Sequence, residues 1–320
     1  MKKFLVSIDT EGDNQWNWKK GNEIATENAL YLSRFQQLCE KYGFKPTYLT
    51  NYEMAMSAEF QKMARQAIHN NAAEIGMHLH AWSTPPFVEL PDSSFPNAPY
   101  LIEFNSEIME QKIATMTSTL QELYGCRITT HRSGRWALDG RYIRLLHKYG
   151  YKVDCSVTPG ISWSDNRGQS RNSHGSDYSD ANSHPSVLVH GDDPLVEIPM
   201  TVVKTHHFFS PNRKDVKAYG GAVLRAIKGQ FIWLRPLGNN LSQMKWIIDT
   251  VRADPDYDYA MFMLHSSEFM PGGNPTFRTP DEIDKLYLDI EELFKYSAPH
   301  FSGFTIGEYG DELLKKGGLA

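Results

Sequence analysis

Apolar and polar positions first separate cleanly in Phe4-Leu-Val-Ser-Ile-Asp9-Thr-Glu11-Gly12-Asp13. Read as a strand, the run places Leu5, Ser7, Asp9 and Glu11 on one face and Phe4, Val6 and Ile8 on the other. At ~3.3 Å per residue its two carboxylates stand ~6.6 Å apart along the chain. The pattern then changes period. Leu30, Phe35, Leu38 and Tyr42 recur at helical spacing, with Thr26 able to cap the start and Gly43 after the end, which predicts a helix over 26–42. The alternation continues through strand Pro46–Thr50, helix Glu53–Asn70, strand Ala73–His78, helix 105–124, strand Arg127–His131, helix 139–149 and strand Tyr151–Val157. Beyond these come strand Leu195–Pro199, a helix near 212–228, helix 241–253 and strand Tyr259–His265. Helix 280–296, a short strand near Phe301–Phe304 and helix 307–316 close the chain.

Two stretches break the rhythm. Pro85, Pro86, Pro91, Pro96 and Pro99 exclude regular structure from the loop after the third strand. Residues 160–194 turn to Ser, Asn, Asp, Gly and His; because strands resume at Leu195, the stretch reads as a long irregular insertion in a single domain spanning 1–320. About seven strand–helix alternations without a shift in composition imply an α/β fold, a parallel sheet with helical crossovers. After the first strand there is no glycine-rich phosphate fingerprint, and carboxylates would repel a pyrophosphate. A barrel is therefore favoured over an open nucleotide-binding sheet.

Composition narrows the function without naming it. The chain has 320 residues, 41% hydrophobic and 22% charged, within the ordinary globular range. A formal net charge of -5 argues against a nucleic-acid platform. Cys39, Cys126 and Cys155 lack metal spacing and read as reduced, packed thiols. The apolar run after Met1-Lys2-Lys3 stops at Ile8, too short for a secretory signal, and no membrane span is visible, so a cytoplasmic location is the expectation.

Reactive residues fall repeatedly at strand ends, where an α/β barrel keeps its active site. Asp9 and Glu11 end the first strand; the pair is either a solvated acidic turn or a division of labour between a base and a metal ligand. His78 and His80 end the third. In His-x-His both rings share a face, able to give two nitrogens to one metal or to sit as hydrogen-bonded loop histidines, with Ile75, Met77 and Leu79 turned toward the helices. Arg132 reads as a surface arginine or as a partner of Asp9 that lowers its pKa. Asp154 either caps a turn or orients an imidazole. His265 is either a satisfied core histidine or a general acid. Trp82 and Trp136 are core residues or a stacking floor for a sugar ring.

In this order the motifs resemble those of the polysaccharide deacetylase superfamily, the NodB-like carbohydrate esterases of family 4. Ser7-Ile-Asp9-Thr-Glu11-Gly12 looks like an Asp-x-Glu variant of the first motif, usually Thr-Phe-Asp-Asp-Gly. Gly76-Met-His78-Leu-His80 stands in place of His-Ser/Thr-x-x-His, Arg132-Ser-Gly-Arg-Trp136 matches the third motif at its arginine, and Asp154-Cys-Ser156 and Leu264-His265 correspond to the fourth and fifth. The resemblance implies a distorted (β/α) barrel of about seven strands. It also implies zinc or another divalent ion on Glu11, His78 and His80, with Asp9 as base held by Arg132, and His265 as acid oriented by Asp154. The implied substrate is an N-acetylated sugar of a surface polysaccharide or its precursor. Two alternatives stand beside it: a C–N hydrolase of a small amide or ureide on the same barrel, and a sugar-binding protein with a decayed site.

Overall fold

In the computed structural model of the chain, which describes residues 1–13, 15–17, 19–211 and 216–316, the first strand lies in a strongly curled sheet and pairs with three other strands. Strand β1 (Lys2–Thr10) pairs in parallel along one edge with a late strand, Tyr259–His265. Its other edge is shared: the N-terminal half takes Phe301–Phe304, and the C-terminal half takes β2 (Pro46–Thr50). From β2 the sheet runs in parallel through β3 (Glu74–Leu79), β4 (Thr130–Ser133) and β5 (Val153–Asp154). It passes next to β7 (Leu195–Glu197), whose free side is covered by the antiparallel β6 (Ser186–Val189). The two late strands are β10 (Tyr259–His265) and β11 (Phe301–Phe304), preceded by an antiparallel pair, β8 (Val202–Thr205) and β9 (Gln230–Trp233), off the main sheet.

The helices are α1 (Leu32–Lys41), α2 (Tyr52–Met56), α3 (Ala58–His69), α4 (Ser106–Tyr124), α5 (Gly140–Lys148), α6 (Val216–Lys228), α7 (Leu241–Ala253), α8 (Pro280–Ser297) and α9 (Ile306–Lys316). Among the described residues none is long and apolar enough to cross a membrane.

Strand alternation divides the core as the sequence implies. Phe4, Val6, Ile8, Ile75, Met77 and Leu79 lie in the large cluster between sheet and helices. Leu5 joins Leu49, Val153, Cys155, Met261 and Met263 in a smaller cluster inside the curl. Fully burying a side chain of this size contributes about 1.5–3 kcal/mol, so a one-residue register slip, which exchanges the two faces, is strongly disfavoured.

The expected distorted barrel of about seven strands is present as a strongly curled half-barrel: the parallel path β10-β1-β2-β3-β4-β5-β7 has seven strands, and among the described residues its two ends do not pair. At one end β5 and β7 are only two and three residues long and β6 runs the wrong way, leaving no parallel edge with which to close. The helix expected over 53–70 is two helices, because Ser57 adopts an extended backbone (ψ 119°). The fourth strand begins at Thr130 and runs to Ser133, so Arg132 lies inside the sheet. The helix expected near 212–228 is α6, with 212–215 outside the described residues. Its flanking strands β8 and β9 and the edge strand β6 were not anticipated.

Candidate active site

Parallel register brings the strand ends to one rim. Asp9 lies beside His265 across β1 and β10, and His78 beside Arg132 across β3 and β4. Glu11 follows β1, and Oε2 of its buried carboxylate stands 3.6 Å from Nε2 of His78 and 3.1 Å from Nε2 of His80. The three donor atoms lie within 4.8 Å of one another, and all three residues are buried. Nδ1–H of His78 donates to the backbone carbonyl of Arg132 at 3.0 Å, which leaves the Nε2 lone pair aimed at the group. Burial raises the Glu11 pKa, but its contacts with the two imidazoles and the charge of His265 outweigh it and hold the carboxyl well below its usual range. Two imidazoles and one ionised carboxylate converging from one side suit a divalent cation with positions left for water or substrate.

A glycine quoted in the third motif but given no role there permits this approach. A Cβ on Gly134 would lie 2.4 Å from the carbonyl oxygen of Leu79 and 2.7 Å from Cδ2 of His80. The next two residues, Arg135 and Trp136, have left-handed backbones (φ 56° and 63°) that side-chain-bearing residues rarely adopt, so the turn at this rim is strained.

Asp9 sits beside the trio. Nη1 of Arg132 donates to its Oδ1 at 2.5 Å, Nη2 donates to Ser7 Oγ at 3.1 Å, and Nε donates to the Cys155 carbonyl at 3.0 Å. Arg132 is fully buried, with the sulfurs of Met200 and Met261 against Nη2 and its guanidinium carbon 5.1 Å from the centroid of the Trp136 ring. Burial raises the Asp9 pKa, and the charge of Arg132 overrides it, keeping the carboxylate ionised.

His265 Nε2 lies 3.9 Å from Asp9 Oδ2. Its Nδ1 meets not Asp154 but Glu268, Oε2 of which lies 3.1 Å away and also accepts the His265 backbone N–H at 2.8 Å. Arg235 in turn donates to both oxygens of Glu268, at 2.9 and 3.1 Å. Burial lowers the His265 pKa, but Glu268, its hydrogen-bonded partner, and nearby Glu11 push it above the ordinary histidine value. Glu268 stands three residues after His265, the spacing of a capping box, and that signal was present in the sequence.

The expectation that Asp154 orients His265 is therefore corrected. Val153 and Cys155 point into the curl, so Asp154 between them points out toward the helices. There its Oδ1 accepts from Nδ1 of His131 at 2.5 Å, while the other ring nitrogen of His131 meets the Tyr142 hydroxyl at 2.8 Å. Glu197, beside Asp154 in register, is pushed well above its usual pKa by burial and by the Asp154 charge, which favours its neutral form. His131, Asp154 and Glu197 form a polar layer behind the rim.

No protein-family model matches the chain, and no curated protein sequence does either. Solved structures do. A Mycobacterium smegmatis protein described as a polysaccharide deacetylase superposes with a TM-score of 0.53 at 12% identity, over 100% of this chain and 92% of its own. The fold is that of the polysaccharide deacetylases. A glycoside hydrolase/deacetylase from Parabacteroides distasonis shares it (TM-score 0.58, 11% identity, 98% of this chain and 72% of the other). So does the Puue allantoinase (TM-score 0.52, 12% identity, 98% and 89%).

On this deacetylase fold the rim opens into a cleft of about 750 Å³, reached by Asp9, Glu11, His78, His80 and His265. Trp82 lines it while stacking on His80, ring centroids 4.2 Å apart. Trp136 lines it too, near-parallel to Trp163 at 6.3 Å and edge-on to Trp233 at 5.8 Å. Trp163, from the irregular stretch 160–194, was missed by the sequence reading, as was Trp16, which sits edge-on to His265 at 5.0 Å.

Proposed function

We propose that the protein is a metal-dependent hydrolase that removes acetyl groups, N-linked or O-linked, from a sugar of a surface polysaccharide or its precursor. One observation carries this reading: a buried two-histidine, one-carboxylate donor set flanked by an ionised Asp9 and a His265 held toward its protonated form. Glu11, His78 and His80 would hold the ion, and the ring orientation of His78 fits that task. When bound, a divalent cation such as zinc supplies Lewis acidity toward a carbonyl and acidifies water.

The chain's own groups do the rest. Asp9 accepts the proton of the attacking water, and Arg132 positions it and holds it ionised. His265 donates a proton from Nε2 to the departing amine or alkoxide, with Glu268 fixing Nδ1–H and compensating the imidazolium. Trp136 offers a flat apolar wall against which a pyranose ring can lie, and Trp82 supports His80 from behind. In this reading Asp154 acts on the sheet through His131 and takes no part in proton transfer.

The test is acetate release from N-acetylhexosamine oligomers, compared with ammonia release from small amides, with and without a chelator. Chelator-sensitive acetate release is expected. A purified protein that takes up no divalent metal and releases no acetate refutes the proposal.

A further inference from the structure

The basic residues of this acidic chain are unevenly placed. Residues 202–235 hold seven Lys and Arg against one Asp, a net of +6 in a chain whose formal net is -5, which leaves -11 on the remainder. This segment is β8, α6 and β9, the arm that stands off the main sheet.

Its helix is turned the wrong way for a soluble protein. Tyr219, Val223 and Ile227 recur every four residues along one side of α6 and are 39%, 47% and 71% exposed, with Leu224 beside them at 50%. Phe208, 42% exposed, stacks on Tyr219 at 6.5 Å and extends the patch. Ala222 is the one buried residue among the described side chains of the helix. Lys217, Arg225 and Lys228 are exposed along the flank of the apolar stripe, and α6 carries no acidic residue. An exposed apolar stripe rimmed by cations, with aromatic rings at its edge, is the pattern of a helix that lies in the interface of an anionic bilayer.

We infer that the 202–235 arm seats the protein on an anionic membrane surface, with Tyr219, Val223 and Ile227 entering the headgroup boundary and Lys217, Arg225 and Lys228 meeting lipid phosphates. The negative remainder is repelled by the same surface, so the field orients the molecule arm-down. A nucleic acid would use the cations but leave the apolar stripe in water. A protein partner would not need cations without intervening acids.

The arm is also fixed to the cleft. Trp233 of β9 packs edge-on against the cleft-lining Trp136 and Trp163, and Arg235 holds Glu268. Seating the arm therefore brings the cleft close to the bilayer. The inference does not depend on the hydrolase reading, since vesicle binding is measured without turnover.

The experiment is flotation of the full-length protein with vesicles of phosphatidylcholine alone and of phosphatidylcholine mixed with phosphatidylglycerol, at low and high salt. Binding to the anionic vesicles, weakened by salt, is expected. Replacing Lys217, Arg225 and Lys228 together by Gln should weaken it on the order of a hundredfold, from about fivefold per cation near the surface. Ile227→Asp should abolish the salt-resistant part, and because that side chain is mostly exposed the variant should keep the wild-type melting temperature. The inference is overturned if the wild-type protein stays unbound at low salt, or if neutral vesicles bind it equally. It is also overturned if sedimentation shows a dimer that Ile227→Asp dissolves, or if a DNA duplex binds the arm and vesicles do not.

Discussion

If His265 delivers a proton, the charge of Glu268 should set the alkaline limit of activity, and Glu268→Gln isolates that charge. The glutamine keeps an oxygen to accept from Nδ1–H, now 3.1 Å away, and from the backbone N–H at 2.8 Å. What disappears is the anion, leaving Arg235 as an uncompensated cation near the ring. A hydrogen bond to a charged partner contributes about 1.5–3 kcal/mol and one to a neutral partner about 0.5–1.5 kcal/mol, so the exchange costs the imidazolium about 1–1.5 kcal/mol. The sign follows from the role. His265 must be protonated to act, its pKa is raised in the native protein, and removing the cause lowers it. The alkaline limb of kcat/KM should therefore move to lower pH, costing about 5–10-fold above it. On the acidic side the variant should stay within a factor of about two of the parent. The assay is a pH profile of acetate release with metal content measured in parallel. A uniform loss at every pH, with the limb unmoved, would refute His265 as the acid.

Four further outcomes follow from the same geometry. His78→Ala should lose most bound divalent metal, measured by metal analysis after dialysis, whereas Asp9→Asn should keep the metal and lose about 10²–10⁴ in turnover. Asp9→Asn should also melt earlier, by a stability loss of about 3–5 kcal/mol for a buried charge left without its partner, because Arg132 has no water to turn to. Gly134→Ala should weaken divalent-metal affinity roughly 10–100-fold by displacing His80, read by competition with a chromogenic chelator, and should also lower the melting temperature, because the new Cβ meets the Leu79 backbone carbonyl at 2.4 Å. Glu197→Gln should raise the melting temperature at neutral pH. A carboxyl whose folded pKa is raised contributes its full stability below the unfolded value of 4.5 and loses it as pH rises through the folded pKa, so variant and parent should converge below pH 4.5.

Much of this arrangement was legible because parallel strands impose a two-residue period. The facing of Phe4, Val6 and Ile8 against Leu5, Ser7 and Asp9 needed only alternation, and so did the turning of His78 away from Met77 and Leu79. The same rule, applied to Val153-Asp154-Cys155, would have turned Asp154 outward, since Val153 and Cys155 are the apolar pair that belongs inside. Glu268 was also within reach of the sequence. An acid three residues after a strand-end histidine can return to its backbone N–H and ring at once. Gly134 was not, because its importance lies in the 2.7 Å that a Cβ would leave to His80, on another strand. The arm escaped for a different reason. Strands β8 and β9 pair with each other outside the main sheet, and α6 turns apolar residues to solvent, so periodicity read as core-facing points there to the wrong side.

The assignment of base to Asp9 and acid to His265 rests on an asymmetry in what surrounds them. The two groups stand 3.9 Å apart, close enough that a proton could in principle reside on either. Asp9 cannot keep it. Protonation would leave Arg132 without an anion against it, among two methionine sulfurs, a serine hydroxyl, one carbonyl and the Trp136 ring, with no solvent contact. An unpaired buried charge of that kind costs about 3–5 kcal/mol, which favours the ionised carboxylate. His265 is placed oppositely, with Glu268 on its far nitrogen and a side chain still 12% exposed, so its imidazolium is both paired and partly hydrated. Exchanging the roles would require two buried ion pairs to be broken together, Asp9 from Arg132 and His265 from Glu268. It follows that Arg132→Met should do more than slow the reaction: by removing the cation that forbids a protonated Asp9, it should raise the acidic limb of the kcat/KM profile. An unmoved acidic limb in that variant, with the metal retained, would mean that something other than the Arg132 charge keeps Asp9 ionised.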